Sequence, residues 1–270
     1  MKKHVLLTLL VVSGVLLASC GGAATPTAAP TEAPPTSGLP DLGGRTITVA
    51  VENAYVPFNS IDEASGEALG WDYDAVREIC ERLNCVPDFK QAAWDGIFPA
   101  MQAGEYDMLA DGVTFTEERD QIVDFSTPYV TIGQVLMVRT DAPINDLDAF
   151  KADASKIVGT QIGTTNEMVA KENFPEDRVQ SFEEFGGAVA ALLAPGGGDI
   201  DAVVIDNVSA LGFIAENAGA LSVGPQLTSD EQLAFVFPPG SELVAAVNAA
   251  LAAMDADGTL QSINDRWFKP

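Results

Sequence analysis

Apolar and polar positions switch between two periods after residue 45. Residues 47–51 (I-T-V-A-V) form a short β-branched run, whereas Val76, Ile79, Cys80 and Leu83 recur at the three-to-four-residue spacing of one helix face. The alternation continues towards the C-terminus. Strands are predicted at 47–51, 86–91, 108–111, 134–139, 157–159, 202–205, 221–224 and 233–237, and helices at 73–83, 94–103, 165–173, 183–193, 207–216, 241–256 and 259–267. Such alternation makes an α/β protein. Pro99 weakens the helix at 94–103, because proline lacks the N–H that an interior helical position needs. The glycine-rich stretch 194–201 (A-P-G-G-G-D-I-D) has no following lysine and no helix start, so it reads as a surface turn and not a phosphate loop.

The first residues follow a different pattern. Lys2 and Lys3 precede an apolar run at 5–18 that is too short to cross a bilayer comfortably, which is the layout of an export signal over residues 1–19. Leu17-Ala18-Ser19-Cys20 fits a bacterial lipobox, in which cleavage leaves Cys20 as a lipid-bearing N-terminus; the alternative is a plain signal peptide with an incidental cysteine. After Cys20 the segment 20–40 is rich in Ala, Thr and Pro and carries a single charge, Glu32, so it buries little apolar area and is expected to act as an extended tether.

Charge and histidine content exclude several function classes. The formal net charge of −25 is spread along the chain, which argues against nucleic-acid binding and against docking on anionic headgroups. The one histidine, His4, lies inside the export signal, so histidine-dependent triads and zinc sites are excluded from the mature chain and no metal or cofactor is expected. Cys80 and Cys85 match neither a redox C-x-x-C nor a zinc knuckle. In an exported protein they form either a small disulfide or two buried thiols, and spacing does not choose between these. No apolar patch or coiled-coil pattern is apparent, so a monomer is expected.

The segment 111–129 (D-G-V-T-F-T-E-E-R-D-Q-I-V-D-F-S-T-P-Y) holds the most chemistry. Thr114, Thr116 and Arg119 follow the apolar residues Met108, Leu109 and Ala110, so hydroxyls, free backbone amides and a guanidinium gather where a strand stops. Such a place suits a carboxylate, which a guanidinium binds with two parallel, charge-assisted hydrogen bonds. The competing reading is an ordinary helix cap followed by a surface arginine, since T-x-x-E also opens helices.

Read in order, Y-V-P-F (55–58), G-W-D-Y-D (70–74), W-D-G-I-F-P-A-M (94–101), G-V-T-F-T-E-E-R (112–119), D-F-S-T-P-Y (124–129), V-G-T-Q-I-G-T-T-N-E (158–167), D-A-V-V-I-D (201–206) and D-G-T-L-Q-S-I-N-D-R-W-F (257–268) resemble the polar amino-acid family (family 3) of extracellular solute-binding proteins that serve ABC importers. The resemblance spans most of 45–270. It implies an α/β, two-lobed, periplasmic-binding-protein-like (type II) fold with two hinge crossings, near 129–132 and 225–231. Lobe 1 would comprise 41–130 and 226–270, and lobe 2 would comprise 131–225. A lipoprotein of this kind would be exported and anchored to the cell membrane through Cys20, facing outside or periplasm. It would bind an amino acid and dock on an ABC transporter permease, without catalysis.

The resemblance also assigns roles. Arg119 would clamp the ligand α-carboxylate, aided by amides near Thr114 and by Thr165 at the positive end of a helix. Asp206 would accept the ammonium, with the Gly112 carbonyl and the Thr114 hydroxyl; capping the next helix is the alternative role for Asp206. Tyr55 and Trp94 would wall the ligand side chain, whereas Trp71 is expected to be structural. Glu52 and Asp111 remain. An extra carboxylate in a closed cleft is costly unless a cation meets it, which points to a basic ligand such as arginine, lysine or ornithine. Asp111 could instead pair with Arg119 or cap Thr114. Other readings are a neutral polar ligand such as glutamine, or an exported cyclohexadienyl or arogenate dehydratase on the same fold, with Glu52 or Glu167 as proton donor.

Overall fold

A computed structural model describes residues 38–62 and 64–268. The export signal, Cys20 and residues 20–37 of the linker lie outside the described residues.

Two five-stranded sheets carry the architecture, one in each of two lobes. In the first, the strands Arg45–Val51, Cys85–Gln91 and Met108–Leu109 run parallel, Val236–Phe237 lies antiparallel beside Met108–Leu109, and Asp124–Phe125 lies antiparallel to Val236–Phe237 at the edge. The second repeats that plan: Val158–Gln161, Val179–Phe182 and Ala202–Asp206 are parallel, Gln134–Arg139 lies antiparallel beside Ala202–Asp206, and Leu221–Gln226 lies antiparallel to Gln134–Arg139 at the edge. Parallel strands are covered on both faces, and their sequences show it. Every residue of Ala202–Asp206 is buried, and so are Val49, Ala50 and Val51.

The second sheet is contiguous in sequence, and the first receives a late strand. The chain therefore crosses between lobes twice. The two crossings pair with each other, Val130–Ile132 running antiparallel to Glu231–Leu233. This explains why the strand predicted at 233–237 is two strands. Leu233 pairs with Val130 in the hinge ribbon, after which Val236 pairs with Leu109 and Phe125 in the first sheet. Between them the Ala234 amide donates to the Val113 carbonyl (2.9 Å) and the Phe235 amide to Ser126 Oγ (3.0 Å), so the segment changes partners without leaving a donor unmet.

The predicted helices are all present, those at Thr165–Asn173, Asn207–Glu216 and Thr259–Trp267 with the predicted bounds and the other four with shifted ends. Pro99 is the third residue of the helix Ile97–Gln102, in the first turn, where a missing N–H has no intrahelical partner to lose. A helix at Leu147–Ala152 and the strand Val179–Phe182 had no predicted counterpart. The helix buries only Phe150 and so shows no apolar stripe; it is set by Asp146, whose Oδ1 accepts from the Ala149 amide at 3.0 Å. Trp71 is fully buried, stacks on Tyr129 at 4.2 Å and donates to Asn264 Oδ1 at 2.7 Å, a core role. Cys80 and Cys85 form a disulfide. It ties the end of the helix Trp71–Leu83 to the strand Cys85–Gln91 across Asn84, which caps the helix in the left-handed region.

Candidate functional site

Parallel strands expose their carboxyl ends at one edge of a sheet, and loops leaving those ends build sites. Here the two sheets turn such edges towards each other. Glu52 directly follows the strand Arg45–Val51, and Asp111 stands two residues past Met108–Leu109. On the other side, Gln161 and Asp206 are the last residues of Val158–Gln161 and Ala202–Asp206. All four line one cavity between the lobes. The same cavity receives Tyr55, Trp94, Gly112 and Thr114 from the first lobe, together with Arg119, and Thr165 from the second. All nine residues given ligand-binding roles from sequence thus come together, whereas Thr116 and Glu167 do not line the cavity.

Direct contacts cross the cleft. The Tyr55 hydroxyl donates across it to Asp206 Oδ2 at 2.5 Å, and within the second lobe Asn166 Nδ2 donates to Asp206 Oδ1 at 2.8 Å. Asp206 occupies the N-cap position of the helix Asn207–Glu216 but makes no side-chain capping bond, so its carboxylate serves the cavity and not the helix. Gln161 Nε2 donates to Glu52 Oε1 at 2.7 Å, and the hydroxyls of Thr114 and Thr165 lie 3.3 Å apart. Phe185 stacks on Tyr55 at 5.2 Å.

Arg119 is held by carbonyls and aromatic faces. Its Nη1 donates to the Thr114 carbonyl at 2.8 Å and its Nη2 to the Gly163 carbonyl at 3.4 Å, while the guanidinium lies 4.5 Å from the Phe98 ring centre and 5.4 Å from that of Trp94. Burial pulls it down to about 10, and the fields of Asp206, Glu118 and Glu231 oppose that fall. Opposite it, the helix Thr165–Asn173 opens on Thr164, whose Oγ1 accepts from the Glu167 amide at 3.1 Å. That cap leaves Thr165 and Asn166 in the first turn, beside the cavity, where the helix dipole favours negative charge.

The acidic groups are less usual. Burial is the largest cause lifting all three: Glu52 to about 8, with the Asp111 charge adding to it, and Asp111 and Asp206 each to about 7. Asp111 neither pairs with Arg119 nor caps Thr114. Its Oδ1 accepts from Asn59 Nδ2 at 2.7 Å, and the same nitrogen donates to Asp72 Oδ2 at 2.9 Å, so a buried amide bridges two buried carboxyls. Gly112 follows at φ 55°, and a Cβ there would stand 2.9 Å from Tyr55 Cε1, which makes glycine a requirement of the turn.

Four lining residues went unpredicted: Gln161, Thr164, Asn166 and Phe185. Three had a signal. T-T-N-E at 164–167 is a T-x-x-E helix start that places Thr164 at the cap and Asn166 in the first turn, and Gln161 ends an apolar strand. Phe185 had none, because an aromatic residue opening a helix is ordinarily core.

The profile of the bacterial extracellular solute-binding proteins, family 3, matches residues 47–270. Among individual proteins, the chain is 29% identical over 226 residues to the L-cystine-binding protein TcyJ of Escherichia coli (strain K12), covering 83% of this chain and 82% of that one. It is 30% identical over 228 residues to the ABC transporter arginine-binding protein 1 of the same strain, covering 82% and 90%. The solved structure of an ancestral arginine-binding protein bound to glutamine superposes with a TM-score of 0.74 at 35% identity, covering 83% of this chain and 97% of that one.

Proposed function

Since the chain belongs to the bacterial extracellular solute-binding proteins of family 3, we propose that it captures a basic amino acid, such as arginine, lysine or ornithine, and delivers it to an ABC importer. One observation carries this reading: three buried carboxyl groups and one guanidinium line a single cavity. An α-amino acid brings one carboxylate and one ammonium. Arg119 would take the first with its planar fork and Asp206 the second, with help from the Thr114 hydroxyl and the Gly112 carbonyl. Glu52 and Asp111 are then left facing the ligand side chain between the walls of Tyr55 and Trp94. In their ionised form a cationic side chain compensates them, and burying them charged without one costs several kcal/mol.

Closure follows from the same geometry. The lobes are assigned to 41–130 with 226–270 and to 131–225, hinged at the ribbon of Val130–Ile132 and Glu231–Leu233. A ligand bridging Arg119 and Asp206 favours the closed form, which is the form that would dock on a permease. The lipid anchor at Cys20 and the tether after it would keep the domain near that permease.

Calorimetry of the full chain, unfolded and refolded to strip carried-over ligand, tests the reading against arginine, lysine, ornithine, glutamine and cystine. Tight binding of a basic amino acid that weakens in Asp111→Ser is the expected result. A clear preference for glutamine or cystine overturns it.

A further inference from the structure

Glu52 and Asp111 are neighbours by strand register as well as by cavity. The strands Arg45–Val51 and Met108–Leu109 run parallel with Ala50 opposite Leu109, so carrying that register two residues further sets Glu52 opposite Asp111. Adjacent strands lie about 5 Å apart, and residues two apart point to the same face. Two carboxyls therefore leave one sheet edge side by side into one cavity, at 5% and 3% exposure. Like charges in directly opposed positions repel, and burial strengthens the repulsion.

Among the described residues, the groups facing this pair add no cation to it. Gln161 Nε2 donates to Glu52, and Asn59 Nδ2 donates to Asp111. Glu184, ahead of the helix Phe185–Leu192, adds a further negative field at Glu52. Asp72 lies behind Asn59, and the hydroxyls of Tyr55, Tyr73 and Tyr129 feel the Asp111 charge. Across the cavity the field of Arg119 falls on Asp206. We propose that Glu52 and Asp111 hold one proton between them, and that a cationic ligand side chain lying against the pair displaces this proton to solvent. Capture of a basic amino acid is then an exchange of one cation for another at the same two carboxyls. The upward displacement of both groups, to about 8 and about 7, agrees with one shared proton near neutral pH.

The exchange distinguishes among basic ligands. A guanidinium or alkylammonium keeps its charge throughout the neutral range, so its binding must expel the proton. A neutral imidazole can accept the proton inside the site, and no net release follows.

This inference rests on the basic-ligand reading, and one experiment separates the two. Titrate the full chain with arginine at pH 7 in phosphate and in Tris, whose ionisation heats differ widely, and repeat at pH 6 and 8. Binding should release on the order of one proton at pH 7, seen as a buffer-dependent enthalpy, and Kd should rise roughly tenfold per pH unit as pH falls from about 8 through 7. Glu52→Gln and Asp111→Asn should each weaken binding and cut the buffer dependence to the smaller part that Asp206 contributes, and any binding of histidine should show less of it than arginine does. Tight arginine binding with the same enthalpy in both buffers overturns the shared proton and leaves the basic-ligand reading standing. Failure of arginine, lysine and ornithine to bind overturns that reading, and the exchange falls with it.

Discussion

The Tyr55 hydroxyl donates to Asp206 Oδ2 at 2.5 Å, joining residues 151 positions apart in sequence and on opposite sides of the cleft. With Asn166 on the other oxygen, Asp206 has two neutral donors that oppose the upward push of burial. Tyr55→Phe removes one donor, so Asp206 should protonate more readily near neutral pH. If Asp206 receives the ligand ammonium, affinity should fall about tenfold, and further at pH 6 than at pH 8. Calorimetry at both pH values checks this; a pH-independent loss would point to altered packing alone.

Arg119 illustrates why a positive charge by itself is insufficient. Its fork reaches the Thr114 and Gly163 carbonyls while its plane lies near Phe98 and Trp94. Lysine has neither the fork nor the plane. Arg119→Lys should weaken amino-acid binding about 10- to 100-fold with the circular dichroism spectrum unchanged, and a variant that binds as tightly as the parent would remove Arg119 from the carboxylate role.

Stability should depend on pH in two opposite ways. Glu52, Asp111 and Asp206 are raised in the folded state, so their contribution is fully present below their ordinary values near 4 and is lost as pH climbs through about 7 to 8. Asp257 is lowered to about 2, chiefly by its hydrogen bond from Arg82, so its contribution is present above 3.8 and is lost as pH falls towards 2. Thermal unfolding of the ligand-free protein should give the highest Tm near pH 5, with a decline by pH 9. A Tm that rises steadily from pH 5 to 9 would contradict these assignments.

The Cys80–Cys85 bridge closes a short loop, with a sequence separation of 5, and loop entropy gives it about 2 kcal/mol. Reduction should lower Tm by roughly 4–8 °C for a domain of this size. Ligand affinity should be unaffected, because the bridge joins a helix end to a strand start and neither cysteine lines the cavity. Calorimetric scans with and without reductant test the first part, and binding under the same conditions tests the second.

Much of this architecture is legible in the residue pattern alone. Period-2 and period-3.6 patterns located most strands and helices, because burial against a shared core writes itself into residue spacing. Elements that bury one residue, such as Leu147–Ala152, or that form a short sheet edge, such as Val179–Phe182, left no such mark. The run 233–237 looked like one strand because its apolar pattern is continuous, although its hydrogen bonds change partners midway.

The candidate site divides along the same line. The sequence by itself determined which side chains end the strands and open the helices, and through the ordered motifs it named Tyr55, Trp94, Arg119 and Asp206. Tertiary structure alone decided who meets whom. Gln161 reaches Glu52 across 109 positions, Asp111 turns to Asn59 instead of Arg119, and strand register sets Glu52 beside Asp111. Local spacing carries no record of these pairings, because the first depends on how two sheets present their edges to one another and the other two on which distant segments lie side by side within one lobe, and both are fixed by packing over the whole chain.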